Sequence, residues 1–355
     1  MVFLCEGVNV PASRFRVHPI VERLERRGIQ CRIVHGYGAF DTKIKILSLQ
    51  RLYRLLCRLV RAFRTATLYD ADLVFVQRLA LPWFSAPEYI LAWRGIPLVF
   101  DFDDAIDLGG NGQTSRLRAN ALRNVFKVST LVVAGNSWLA EKARPFARTE
   151  VIPTCIDTEK YQPTSKKMGM EDNPVVGWMG TSSNYKYLRL LIPVFDQLRQ
   201  EGLKFKVHVV SDSCDQQLMD ALGATFSFWS ANEELSQLQC FDIGVMPLDD
   251  SDQSKGKCAF KLIQYMAVGI PVVGSDIGFN KDVVKHSITG FLASNNSEWV
   301  SAIRKLLVDV GLRQHIGAAA RDRAVSNFSV DNAFSRYYDC FEQIFRKSHL
   351  GGLSR

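Results

Sequence analysis

Apolar residues along this chain of 355 fall into two alternating patterns. Short apolar runs recur at 2–5, 29–34, 73–77, 97–101 and 130–134, and again at 175–179, 205–210, 225–228, 241–247 and 270–273. Such runs read as strands of a parallel sheet buried on both faces. Between them, apolar positions three and four apart predict helices at 13–27, 82–93, 185–200 and 259–268. Three more are expected at 297–307, 312–327 and 330–346. Strand and helix alternate, so the expected class is α/β, built of βαβ units in doubly wound sheets. Two groups of units flank a polar stretch at 162–173, which fits a linker. Two Rossmann-like domains are therefore expected, at 1–163 and 174–328. Local signals sharpen the ends. Ser13 is a candidate N-cap. Gly269 followed by Pro271 closes the helix before it. Ser230 to Glu233 has the spacing of a capping box.

Composition narrows the class. Apolar residues make up 47% of the chain, as in a globular protein. No run of eighteen apolar residues occurs, so no membrane span is expected. The N-terminus lacks the basic and apolar regions of a secretory signal. The eight cysteines form no Cys-x-x-Cys pair, so neither a zinc site nor a disulfide framework is indicated. A cytoplasmic location is the simplest reading. The net charge of +8 lies wholly in the first half. Residues 1–165 hold 23 Lys and Arg against 15 Asp and Glu. The densest part is 43–64, with seven basic residues and no acid. Arg51, Arg54, Arg58 and Arg61 share one helical face there, and Leu52, Leu55, Leu56, Leu59 and Phe63 lie largely away from it. A helix of this kind either rests on an anionic membrane or packs on a sheet with a solvated outer face. The absence of acids favours the membrane, and the inner face of the cytoplasmic membrane is the expected place.

The chemistry concentrates at 256–276, GKCAFKLIQYMAVGIPVVGSD. A small basic loop feeds a helix N-terminus, where unpaired N–H groups and the helix dipole favour an anion. Lys257 and Lys261 add full charges one turn apart, which suits a diphosphate. Gly180 and Thr181 follow another strand, where small residues let a backbone approach phosphate. In the first half, Gly7, Arg14 and Arg16 stand at the end of the first strand. Ligand binding is favoured for these arginines over a solvated helix start. Asp101, Asp103 and Asp104 end a later strand. Carboxylates there could hold a metal or accept hydrogen bonds from sugar hydroxyls.

The stretch 256–276 resembles the donor-binding helix of the GT-B glycosyltransferases, in particular family 4 (GT4). The family pattern is roughly K-x-x-E-Y-M-A-x-G-x-P-V-V. Lys261, Tyr265, Met266, Ala267, Gly269, Pro271, Val272 and Val273 match it. Two family glutamates, eight residues apart, are Gly256 and Gln264 here. The resemblance implies a GT-B fold, two Rossmann-like domains on a central cleft, and transfer from a nucleotide-diphosphate sugar with retention. It implies that a last helix at 329–348 crosses back to the first domain. It puts Gln264 at the donor ribose, where an amide can stand in for a carboxylate, and Trp229 at the corner that holds the base. It puts Asn136, Asp103 and Asp104 on the cleft. It implies no cofactor and no metal. The roles expected are therefore catalytic for Asp103, Asp104 and Lys261, and donor-binding for Gly180, Thr181, Trp229, Lys257, Lys261 and Gln264. Gly7, Arg14, Arg16 and Asn136 are expected on the acceptor side. The acceptor expected is a lipid-linked molecule or surface glycan, and no nucleic acid partner is expected. The alternatives are a GT-B epimerase or hydrolase of sugar nucleotides, or a catalytically silent binding protein. A dinucleotide dehydrogenase is the weakest rival, since no Gly-x-Gly-x-x-Gly follows the first strand.

Overall fold

A computed structural model describes residues 1–8, 10–37, 47–109, 112–164 and 173–351. Residues 43–46 of the expected basic helix lie outside that set, with the Arg51 side chain and most of the expected linker. The chain divides into two compact units. The first comprises Met1–Cys155, Gly256–Cys258 and Val330–Arg355, and the second Ile156–Lys255 and Ala259–Ser329.

In order, the first unit contains β1 (Val2–Gly7), α1 (Pro11–Arg16), α2 (His18–Arg26), β2 (Arg32–Tyr37), α3 (Leu47–Ala66) and β3 (Val74–Gln77). It continues with α4 (Ala86–Trp93), β4 (Leu98–Phe102), α5 (Arg116–Val128), β5 (Leu131–Ala134), α6 (Ser137–Ala143) and β6 (Thr149–Val151). The strands form one parallel sheet in the order β2-β1-β3-β4-β5-β6. Alternation along β1 explains its two covered faces. Phe3 and Cys5 enter a core with Ile20, Leu24, Tyr337 and Phe341, while Val2 and Leu4 enter another with Val76, Leu122 and Phe126. The C-terminal helix Val330–Gly351 thus helps to cover one face of the sheet.

The second unit contains β7 (Val175–Met179), α7 (Tyr185–Leu188), α8 (Ile192–Gln200), β8 (Lys206–Ser211), α9 (Gln216–Leu222) and β9 (Ala224–Phe228). Then come α10 (Glu234–Gln239), β10 (Ile243–Met246), α11 (Asp252–Lys255), α12 (Phe260–Ala267), β11 (Val272–Ser275) and α13 (Asn280–Val283). β12 (Gly290–Ala293), α14 (Asn296–Val308) and α15 (Val310–Phe328) complete it. Its sheet is also parallel, in the order β12-β11-β10-β7-β8-β9. Gly244 belongs in β10 because the ring of Tyr265 lies flat over it. A Cβ there would sit 2.3 Å from that ring.

Three local expectations change. The helix expected at 13–27 is two helices, broken at Val17, because Pro19 cannot donate a backbone hydrogen bond and instead sits in the first turn of α2. Ser13 is not an N-cap. It lies inside α1, and its hydroxyl donates to Gln77 Oε1 at 3.0 Å. Ser230 and Glu233 do pair, Glu233 N donating to Ser230 Oγ at 3.3 Å, but they close the turn before α10.

The largest change is in α3, which turns its faces the other way round. Arg61 is buried, and its Nη2 donates to the carbonyls of Leu4, Gln77 and Arg78 at 3.1, 2.7 and 3.0 Å. The last two stand at the end of β3, where buried carbonyls need donors. Leu52, Leu56, Leu59, Val60 and Phe63 are exposed, Phe63 at 69%. On α4, which packs against α3, Tyr89, Ile90 and Trp93 are exposed as well. Among the described residues no helix is long and apolar enough to cross a membrane.

Candidate functional site

In the second unit, the carboxyl end of β7 runs into Gly180 and the small polar turn Thr181–Asn184. Asn184 Nδ2 and Ser183 Oγ both meet Thr181 Oγ1, at 2.8 and 2.9 Å, and Ser182 N donates to Asp212 at 2.7 Å. Lys261, in the first turn of α12, lays its stem across Gly180. A Cβ on Gly180 would stand 2.4 Å from Lys261 Cε and 2.9 Å from the Trp178 ring. The Lys261 ammonium lies 5.5 Å from the centre of that ring. Glycine is therefore what lets this cation reach the end of β7. Ala259 precedes α12 in the left-handed region, at φ +51°, and no side chain caps the helix. The helix dipole and a lysine in the first turn together favour an anion at this end.

Gln264 and Trp229 meet through a residue that the sequence reading passed over. Glu234 is buried, with 2% exposure. Its Oε1 accepts from Tyr161 OH at 2.6 Å and from Gln264 Nε2 at 3.0 Å. Its Oε2 accepts from Trp229 Nε1 at 3.0 Å. Three donors satisfy a carboxylate that would otherwise be costly to bury. The Gln264 amide nitrogen is thus engaged, and its carbonyl oxygen is the atom suited to accept from a hydroxyl. Glu234 carried no periodic or motif signal beyond its place after the capping sequence.

In the first unit, the carboxyl ends of β1, β3 and β4 carry a charge cluster centred on Arg78. Arg78 sits in the left-handed region, at φ +57°, which costs a non-glycine residue about 1 kcal/mol or more. Its Nη1 donates to Glu6 at 3.0 Å. Its Nε and Nη2 donate to Asp103 Oδ1 at 3.1 and 2.8 Å. Asp104 Oδ2 lies 3.7 Å from Nη2. Burial alone would raise the Asp103 carboxyl, but the charges of Arg78 and Arg16 and the Arg78 hydrogen bonds outweigh it and hold the carboxyl below its usual value. Burial raises Asp104, against the pull of Arg78 and Lys257. Its side chain is 48% exposed, so water limits that push. The strained arginine fixes Asp103 and draws on Asp104 through charge alone, and no sequence pattern marks it beyond a lone charge directly after an apolar strand.

The remaining predicted residues scatter. Arg16 does not stand at the mouth of the sheet. It is 1% exposed and forked onto Asp101, Nε to Oδ2 at 3.0 Å and Nη2 to Oδ1 at 2.5 Å. Ile152 O, Thr154 Oγ1 and Tyr337 OH take its other contacts, at 2.8, 3.3 and 3.1 Å. A buried arginine survives only when paired and hydrogen-bonded, so this one is structural and takes Asp101 with it. Arg14 is half-buried, its guanidinium 4.8 Å from the Phe15 ring centre. Gly7 ends β1, and its carbonyl accepts from Val10 N at 3.2 Å. Asn136 caps α6, with Oδ1 accepting from Leu139 N at 2.7 Å, while Nδ2 donates to the carbonyls of Gly256 and Lys257 at 3.2 and 3.1 Å. Lys257 belongs to the first unit and Lys261 to the second.

Two cavities bear on the site. One, of about 200 Å³, opens beside Arg78 and is lined by Glu6, Arg58, Arg61, Arg78 and Arg118 among others. It lies at the carboxyl ends of β1 and β3, where α/β sheets bind ligands. The other, of about 400 Å³, is larger but sits at the amino ends of β7, β10 and β11, against Val175, Asp242 and Ile270. That is the wrong edge for the phosphate-binding geometry at Gly180, so size does not mark the site here.

Known proteins repeat this architecture. Residues 173–309 match the family described as Glycosyl transferases group 1. Sucrose-phosphate synthase from Thermosynechococcus elongatus superposes with a TM-score of 0.76 at 15% identity, covering 98% of this chain and 99% of that one. A glycosyltransferase from Rickettsia africae gives 0.73 at 14% identity, over 97% and 98%. Anabaena HepE, solved in complex with UDP and glucose, gives 0.69 at 16%, over 96% and 99%. The fold is GT-B.

Proposed function

We propose that this GT-B chain, whose residues 173–309 match the group 1 glycosyl transferases, moves a sugar from a nucleotide-diphosphate donor to a lipid-linked or surface-glycan acceptor. The observation that carries the reading is the Lys261 stem lying across Gly180, in the first turn of α12 and inside the matched segment. In the breaking bond, the leaving diphosphate gains negative charge. A fixed ammonium and fixed N–H groups stabilise that charge more than they stabilise the ground state. Gln264, oriented by Glu234, offers its carbonyl oxygen to the donor ribose. Trp229 is anchored to the same carboxylate and stands at the base corner. Uridine is the base to try first, because HepE binds UDP with the same fold. Retention of configuration is what the GT4 resemblance implies.

Asp103, held by Arg78, and the more exposed Asp104 serve the acceptor as hydrogen-bond acceptors for hydroxyl groups, with no metal needed. Lys257 supplies a further positive charge near Asp104. The exposed apolar face of α3, with the aromatic residues of α4, supports a peripheral membrane site. The protein then works at the cytoplasmic face of the membrane by inserting leucine and aromatic side chains, with the basic excess of the first half drawing it to anionic lipid.

The test is turnover. Release of nucleoside diphosphate from a panel of sugar nucleotides should occur, and Asp103→Asn should lower it by roughly 10–100-fold while leaving donor affinity within a factor of two. Donor that binds but is never consumed, with any acceptor and membrane supplied, would make this a binding protein instead.

A further inference from the structure

The first unit holds a second constellation that sugar transfer does not use. Cys5 on β1 pairs directly with His35 on β2, and its Sγ lies 3.1 Å from His35 Nδ1. His18, the first residue of α2, brings its ring edge-on to that of His35, with centroids 5.3 Å apart. One ligand atom from each of the three lies within 4.8 Å of the other two. Three separate elements converge on one point. The sequence reading looked for cysteine pairs and had no means of seeing this, because strand register makes the contact.

The donor set is one thiol and two imidazoles. It suits a borderline cation such as zinc rather than magnesium or calcium, which take oxygen. In a tetrahedral site, with bonds of ~2.3 Å to sulfur and ~2.0–2.1 Å to nitrogen, ligand atoms stand about 3.3–3.6 Å apart. The observed 3.1 Å contact and 4.8 Å limit bracket that range, so small side-chain rotations close the site. A second observation is independent of the spacing. His18 Nε2 is buried and has no hydrogen-bond partner among the described residues. A buried ring nitrogen left without one needs a reason, and a metal bond is one. Burial disfavours the charged form of both imidazoles, with His35 and Arg14 adding to the effect at His18, and the neutral form is the one that ligates. The surrounding charges are mixed. Arg14 faces His18, and Arg61 and Glu6 face Cys5. Burial raises the Cys5 thiol, opposed by Ser13 and Arg61, so the ion has to displace its proton.

We propose that Cys5, His18 and His35 bind one zinc ion, with water as the fourth ligand on the half-buried imidazole side. Binding forms two Zn–N bonds and one Zn–S bond, breaks the Cys5 S–H bond and releases one proton to solvent. The ion ties β1, β2 and the start of α2 together, and takes no part in sugar transfer.

Cobalt titration of the full chain, freed of metal by chelator and dialysis, tests this. One cobalt per chain should bind, with the intense visible bands of a tetrahedral site and a thiolate charge-transfer band in the near ultraviolet. One equivalent of zinc should bleach both, and one proton should appear in a pH-stat. His18→Gln and His35→Gln alter half-buried positions, so they should keep the circular dichroism spectrum and the affinity for UDP while weakening cobalt at least about 10-fold. Cys5→Ser should abolish the charge-transfer band if it folds. Absence of cobalt binding by the native chain overturns the proposal. So does cobalt binding that all three variants retain, which would place the ion on other cysteines.

Discussion

At the carboxyl edge of β1, β3 and β4, Arg78 gathers Glu6, Asp103 and Asp104, with Arg61 buried close by. At the carboxyl edge of β7 there are a glycine, a threonine, two serines and one lysine stem. Both sheets are parallel and six-stranded, but their strand orders differ, and so does what stands at their ends. An edge of small residues lets a phosphate come close to the backbone. An edge of paired charges holds each carboxylate at one position before any ligand arrives, which suits orienting hydroxyl groups. Buried polar clusters support both edges. Arg16, Asp101 and Tyr337 lie in the first unit, and Glu234 with its three donors lies in the second.

That contrast breaks most sharply at Arg16. Arg16→Ala leaves Asp101 as a buried carboxylate with only the Tyr337 hydroxyl, and should cost about 3–5 kcal/mol in chemical denaturation. A variant as stable as the native chain but slow in transfer would return Arg16 to the acceptor side, where the sequence reading had it.

The α3 helix gives the next largest effect. Leu52→Ser, Leu56→Ser and Phe63→Ser together remove an exposed apolar stripe, and vesicle association should fall at least about 100-fold, since each large apolar side chain is worth roughly 1.5–3 kcal/mol when buried. Arg64→Gln, at an exposed basic position of the same helix, should change it only a few-fold, because one basic residue near anionic lipid contributes about 1 kcal/mol. Equal losses in the two proteins would show that charge rather than insertion does the binding.

A smaller effect is expected at Gln264. On sequence alone, Gln264→Glu restores the family residue and should be harmless. Beside Glu234 it places a second carboxylate where an amide donor stood. We expect a loss of about 1–3 kcal/mol at neutral pH. A carboxyl of that pair would have a raised pKa, so the loss should shrink as the pH falls toward 5 and the pair takes up a proton. A loss independent of pH would mean that the two side chains do not interact. Gln264→Leu leaves Glu234 with Tyr161 and Trp229 and should cost less.

The sheets were legible because parallel strands buried on both faces are written as unbroken apolar runs. The turn from α12 into β11 was legible because Gly269 and Pro271 punctuate it. Other features were not. Periodicity shows that α3 has two faces, but not which one turns inward. The carbonyls of Leu4, Gln77 and Arg78 decide that by taking Arg61. Arg16 looked like a surface cation because its partners, Asp101 and Tyr337, lie far along the chain. Arg78 and Glu234 are single charges in ordinary runs, and only their partners in space reveal them as hubs. Gly180 and Lys261 were both named from sequence, but their contact depends on how α12 packs beside β7.

The direct measurement of the central claim is calorimetric titration of UDP into three proteins. The native chain should bind. Lys261→Ala should bind roughly 10–100-fold more weakly, for loss of a charge-assisted contact worth about 1.5–3 kcal/mol. Gly180→Ala keeps every charge but puts a methyl group where the Lys261 stem lies, and it should be weakened in the same direction. Weakening in both variants, with unchanged melting temperatures, is the result predicted. Native affinity in Lys261→Ala would contradict the account and place the diphosphate somewhere other than the end of β7.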